Sequence, residues 1–116
     1  MGRNTWHIIR DEGSVTLTRV LPVRFDVSAE TVLPAGRALK VAQQVRQDMW
    51  RKLQTLRGFS PVVRVAQEGN TLRVTAGGRV QAAFHRSTVQ ALIAEVLEDP
   101  GNRRRWSNYA RAAGQV

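Results

Sequence analysis

An α+β fold, with an antiparallel sheet covered on one face by helices, follows from three features of the sequence. Extended runs are joined by short Gly-containing turns, apolar residues recur at helical spacing from Ala38 to Leu56, and a second helical stripe runs from Val89 to Leu97. The order these imply is β-hairpin, long helix, two or three strands, helix and short C-terminal helix. With 116 residues the chain has the length of one domain around one modest core.

Thr5 to Arg10 and Ser14 to Val20 are extended runs on either side of Asp11-Glu12-Gly13, the pattern of a hairpin. Val15, Leu17, Leu21, Val23, Phe25 and Val27 keep period-two spacing, with Arg19 the exception and Pro22 a bend, so extended structure is expected to continue to Val27. Ser28 to Leu33 reads as a linking turn, and Pro34 suits the first turn of a helix, which does not need its missing amide proton.

Ala38, Ala42, Val45, Met49, Leu53 and Leu56 share one helical face, ending at Gly58. Val62 to Ala66 and Thr71 to Ala76 alternate around Gln67-Glu68-Gly69-Asn70, a second hairpin, and Gly77-Gly78 is expected to turn the chain into a strand from Arg79 to Phe84. Ser87 and Gln90 form a capping-box pattern before the Val89, Leu92, Ile93, Val96, Leu97 stripe, which stops at Asp99-Pro100-Gly101. Asn102 is expected to cap a final helix closed by Gly114, with Trp106, Tyr109, Ala110 and Ala113 at docking spacing.

Charge is the most informative part of the composition. Eighteen Lys plus Arg against nine Asp plus Glu gives a net charge of +9, which calls for an anionic partner. All but Lys40 and Lys52 of these cations are arginine, whose planar fork suits phosphate and carboxylate. The absence of cysteine excludes disulfides, thiol catalysis and thiolate zinc sites. No signal-peptide core or apolar run of membrane-spanning length is present, so a cytoplasmic location is expected.

Catalytic signals are weak. His7 and His85 are the only histidines, and neither is spaced as a metal ligand from a second His or a carboxylate. Glu95, Glu98 and Asp99 cluster at a helix end without a paired pocket, and Gly77-Gly78-Arg79 lacks the spacing of a phosphate loop. No enzyme activity, cofactor or metal is expected.

Alternation places Arg64, Arg73 and Arg79 on the sheet face turned from the core, where adjacent guanidiniums repel unless an anion lies between them. The C-terminal segment Arg103, Arg104, Arg105, Trp106, Tyr109 and Arg111 combines cationic forks with two aromatic rings, the pairing that holds backbone phosphate and stacks bases. These nine residues are the candidate nucleic-acid-binding set. The order helix, three strands, helix from Pro34 to Asp99 is similar to that of double-stranded RNA-binding domains. Those carry a lysine-rich motif at the start of their second helix, whereas His85-Arg86-Ser87-Thr88 has one arginine, so the similarity is architectural. The expectation is a nucleic-acid-binding domain, RNA or DNA, that recognises backbone and shape; the alternative is an adaptor or assembly subunit docking an acidic protein surface.

Overall fold

The computed structural model describes the backbone of residues 6–114 and the side chains of residues 6–111. Thr5 of the expected first strand and Ala113 of the expected docking stripe lie outside the described residues. The elements are β1 (His7–Asp11), β2 (Ser14–Thr18), β3 (Val27–Pro34), α1 (Ala38–Leu53), β4 (Phe59–Glu68), β5 (Thr71–Val80), α2 (Arg86–Glu98) and α3 (Pro100–Gly114). The strands form one antiparallel sheet in the order β1-β2-β4-β5-β3, and the helices cover one of its faces.

Both hairpins form as their turn residues require. Gly13 and Gly69 adopt positive φ in the β1–β2 and β4–β5 turns, where a Cβ would be strained. In the register Val15↔Val65↔Val74 and Leu17↔Val63↔Ala76, the apolar set of each strand shares one face. α1 packs its stripe on that face: Val41, Ala42, Val45, Met49 and Leu53 are buried against β2, β4 and β5. The helix stops at Leu53, short of Gly58; Leu56 still packs on the core, and Gly58, at φ 69°, turns the chain into β4.

The region before α1 departs from expectation. Ser28 to Leu33, expected as a linking turn, and Pro34, expected to open a helix, instead belong with Val27 to the edge strand β3, paired from Val27↔Gly78 to Pro34↔Thr71. Because β2 and β3 stand on opposite sides of the β4–β5 pair, residues 19–26 are used in crossing the sheet rather than in pairing. Leu21 and Val23 are therefore exposed, and the Leu21–Pro22 peptide is cis. This connection is tied down by Arg79 donating to Pro22 O at 3.0 Å and by the Asp26 carboxylate, which accepts from Val80 N–H at 2.8 Å. The Asp26 carboxyl is held below the usual carboxylate value, first by the Arg24 guanidinium and then by that N–H.

Two strands follow α1, not three, so the likeness in element order to double-stranded RNA-binding domains does not extend to the sheet. β5 runs straight through Gly77-Gly78 to Val80, and residues 81–85 lead directly into α2. The glycines serve close approach rather than turning. A Cβ on Gly77 would collide with Val27 O, and one on Gly78 with Ser60 O, so the backbones of β3 and β4 come nearer to β5 than any side chain permits. The helix caps also differ: α2 begins at Arg86 with no side-chain cap from Ser87, and Asp99, not Asn102, caps α3 by accepting the Asn102 N–H at 2.9 Å, with Pro100 at the first helical position.

Gly77→Ala is expected to cost at least about 2 kcal/mol in urea unfolding, because backbone must move to admit the methyl group. Gly69→Ala, at φ 60° with open space around it, should cost about 1 kcal/mol from conformation alone. Equal losses would show that the sheet can relax around position 77.

Candidate functional site

The nine candidate residues fall on two sides of the molecule. Arg64, Arg73 and Arg79 do share the sheet face away from the helices, with Arg64 opposite Thr75, Arg73 opposite Ala66 and Arg79 opposite Ser60. α3 lies on the other side, against α1, α2 and β3. One ligand surface does not contain both groups.

On the sheet face the expected repulsion is relieved from within the chain. Glu68 bonds the Arg73 Nε at 3.0 Å and Glu30 approaches its Nη1 at 3.3 Å, while Thr75 donates to Glu30 at 3.2 Å. The Arg73 guanidinium is held above its ordinary value by Glu68 foremost. Arg79 is turned to the carbonyl of Pro22, and Arg64 has only the Ser14 hydroxyl, at 3.4 Å. Thr18 and Val62, on the same face, are buried where the 19–26 connection closes over it. Among the described residues this face holds one ion-paired guanidinium, Arg73, and two, Arg64 and Arg79, that meet only neutral oxygens.

The C-terminal segment divides by helical phase. Trp106 is fully buried, and its Nε1–H donates to Asp48 at 2.6 Å, so it is a core residue and cannot stack a base. Ala110 is buried beside it. Arg103 reaches β3, donating to Thr31 Oγ1 and Val32 O, both at 2.6 Å, and back to Leu97 O at 3.0 Å. Arg105 pairs with Asp48 at 3.0 Å and donates to Asn102 at 2.7 Å. Arg103 and Arg105 thus find internal acceptors, and their place near a helix start needs no outside anion.

Arg104, Tyr109 and Arg111 stay outward. Arg104 is exposed and unpaired among the described residues, Arg111 donates only to Asn108, and Tyr109 is 44% exposed with the Lys40 ammonium 5.7 Å from its ring centroid. Lys40 comes from α1, whose contact with α3 sets this ridge. Among the described residues Lys40, Arg104 and Arg111 carry no carboxylate partner, and of these Lys40 lies over the exposed ring of Tyr109.

A further cationic group escaped the sequence reading. Trp6, just before β1, is approached by Arg19 at 4.9 Å and Arg46 of α1 at 4.8 Å from its ring centroid. The two guanidiniums are therefore within about 10 Å of each other, and neither has an acidic partner among the described residues. Burial foremost, and Arg19 next, hold the Arg46 guanidinium below its ordinary value. The available signal was Arg19 itself, the one charged residue to interrupt the apolar alternation of its strand.

The cleft where the three helices meet is lined by Asp48, Arg51, Lys52, Glu95, Asp99 and Asn102. Its charges are already matched, with Lys52 to Glu95 at 3.2 Å and Arg51 to Asp48 at 3.4 Å. Among the described residues no three His, Cys, Asp or Glu side chains are grouped to hold a metal ion, and no helix is long and apolar enough to cross a membrane.

Trp106→Phe is expected to cost about 1–3 kcal/mol, because it removes the buried donor to Asp48 while keeping most of the ring. Tyr109→Phe should be neutral within experimental error. A Trp106→Phe chain as stable as the parent in thermal unfolding would show that the buried hydrogen bond does not hold α3 in place. No protein-family model, curated protein or solved structure matches the chain.

Proposed function

We propose that the protein is a non-enzymatic nucleic-acid-binding domain that grips the phosphate backbone along the α1–α3 ridge. The observation that carries this reading is the distribution of carboxylates. Asp26, Glu30, Asp48, Glu68, Glu95 and Glu98 each lie at salt-bridge distance from an Arg or Lys of the same chain, so the surplus of basic residues is left outward. Lys40, Arg104 and Arg111 belong to that surplus; Lys40 lies over the exposed ring of Tyr109, and Arg104 and Arg111 share the outward phase of α3. Ammonium and guanidinium groups neutralise phosphates, and an accessible aromatic ring stacks unpaired bases. Such contacts carry no sequence information and accord with recognition of backbone and shape. Trp106, Arg103 and Arg105 belong to the scaffold of this surface, and the Arg64, Arg73, Arg79 face is not part of it. A cytoplasmic setting goes with this reading.

The test is the salt dependence of binding to duplex and single-stranded probes. The logarithm of affinity should fall linearly with the logarithm of salt, with a slope near 0.9 per phosphate neutralised on duplex DNA. Lys40→Ala, Arg104→Ala and Arg111→Ala together should flatten that slope by up to about three units and weaken unrelated sequences alike. Arg64→Ala, on the far side of the sheet, should leave it unchanged. A triple variant with the parental slope removes the ridge from the interface. A parent that binds neither RNA nor DNA at low salt leaves docking to an acidic protein as the function.

A further inference from the structure

We propose that β1 pairs with the β1 of a second copy of this chain, antiparallel about a two-fold axis at Ile9, so that the sheet continues across two molecules. Among the described residues β1 hydrogen-bonds to β2 alone. Helix α1 packs on β2, β4 and β5 and does not reach β1, so the helical layer ends before the edge of the sheet. Ile8 and Ile9 are 46% and 37% exposed there.

The register follows from the hairpin. Asp11 and Ser14 flank the two-residue turn, which makes Asp11↔Ser14, Ile9↔Thr16 and His7↔Thr18 the hydrogen-bonded pairs. Ile8 and Arg10 therefore turn their backbone N–H and C=O away from β2, free for another strand. With the axis at Ile9, Ile8 of one copy lies opposite Arg10 of the other, and these two exchange backbone hydrogen bonds. Ile9 then meets Ile9 in the closer, non-hydrogen-bonded type of pair, where side chains pack best. A shift of the axis by one residue, to Ile8 or Arg10, places that residue opposite itself and matches fewer of the remaining groups.

Charge selects the same register. His7 of one copy comes opposite Asp11 of the other. The Asp11–Glu12 turn of each copy arrives beside Trp6, Arg19 and Arg46 of its neighbour. Asp11 and Glu12 have no cationic partner among the described residues, and Arg19 and Arg46 have no acidic one; the Asp11 carboxylate is turned to the Glu12 N–H of its own turn. Unmatched carboxylates at one end of the edge strand and unmatched guanidiniums at the other are complementary only head to tail, which is the arrangement the two-fold axis creates. Opposing this, each copy carries a net charge of +9 and the edge is five residues long, so the association is expected to be weak and concentration-dependent.

The chain contains no cysteine, so a single introduced thiol can crosslink only between copies. At Ile9 the Cα atoms across the axis would stand about 4.5 Å apart, within disulfide reach, whereas at Asp11 they would be separated by about 14 Å. In roughly 0.5 M salt, which strips bound polyanion, Ile9→Cys is expected to oxidise to a dimer at least about tenfold faster than Asp11→Cys. Sedimentation equilibrium of the unmodified chain should show the mass rising from 13.0 kDa toward twice that value with concentration. Ile9→Lys should hold it at 13.0 kDa with an unchanged circular-dichroism spectrum. Equal crosslinking rates, a monomer up to about 1 mM (a Kd beyond about 1 mM, weaker than −4 kcal/mol), or association undisturbed by Ile9→Lys would each overturn the proposal. These measurements contain no nucleic acid, so their failure does not touch the ridge, and failure of the ridge does not touch them.

Discussion

The helical layer is organised around one carboxylate. Asp48 projects from α1 into the seam with α3, only 9% exposed, and there receives the Trp106 indole N–H with Arg51 and Arg105 around it. A carboxylate taken out of water is tolerated only when its oxygens are matched, and removing any one donor leaves the others to carry the desolvation. Asp48 therefore fixes where α3 can lie, because only one helical phase brings both Trp106 and Arg105 to it. That phase in turn sends Arg103 to β3 and leaves Arg104, Asn108 and Arg111 outside. The division of the arginine run into scaffold and surface is a consequence of this one anchor.

The same distribution accounts for why a chain so rich in arginine folds. Most of its few acids are spent inside the molecule, on crossing loops, helix seams and the sheet face, where each offsets local repulsion. Glu30 and Glu68 serve Arg73 in this way, and Asp26 ties the crossing segment to the end of β5. Exposed pairs of this kind add little stability individually. Their effect is to decide which cations remain unmatched: in the row of arginines on the sheet face Glu30 and Glu68 neutralise Arg73, and Arg64 and Arg79 meet only neutral oxygens.

Much of the architecture was legible from periodicity. The α1 stripe, both hairpins, the α2 stripe and the shared face of Arg64, Arg73 and Arg79 all follow from spacings of 2 and 3.6, and each is where it was expected. Failures came where a residue type has two physical uses. A glycine pair marks a turn or a place where backbones touch, and only the position of β3 beside Gly77 and Gly78 distinguishes them. Ser28, Ala29 and Glu30 have weak strand propensity, and their pairing depends on β5, some 45 residues away. Of the candidate residues in α3, Arg104, Tyr109 and Arg111 are exposed. The burial of Trp106 was not legible, since its partner Asp48 is a charged residue set among the buried positions of α1, 58 residues away in the chain. The Trp6, Arg19, Arg46 group was missed because its members come from three separate segments, the residue before β1, the connection after β2 and α1.

The two margins of the sheet are not alike. Along β3, α2 and α3 pack against the strand, the Arg103 guanidinium occupies the Val32 carbonyl, and Arg86 occupies that of Asp26 just before it. Along β1 nothing comparable is present among the described residues. A sheet with both margins bare can add molecules without end, and extended strands exposed in this way are the usual starting point of fibrous aggregates. With one margin sealed, growth has a single direction and is exhausted by the first partner that joins. If copies join along β1, Arg103 would act as a terminator on the other margin: an arginine that supports a helix from one side would also limit how far strand addition can propagate.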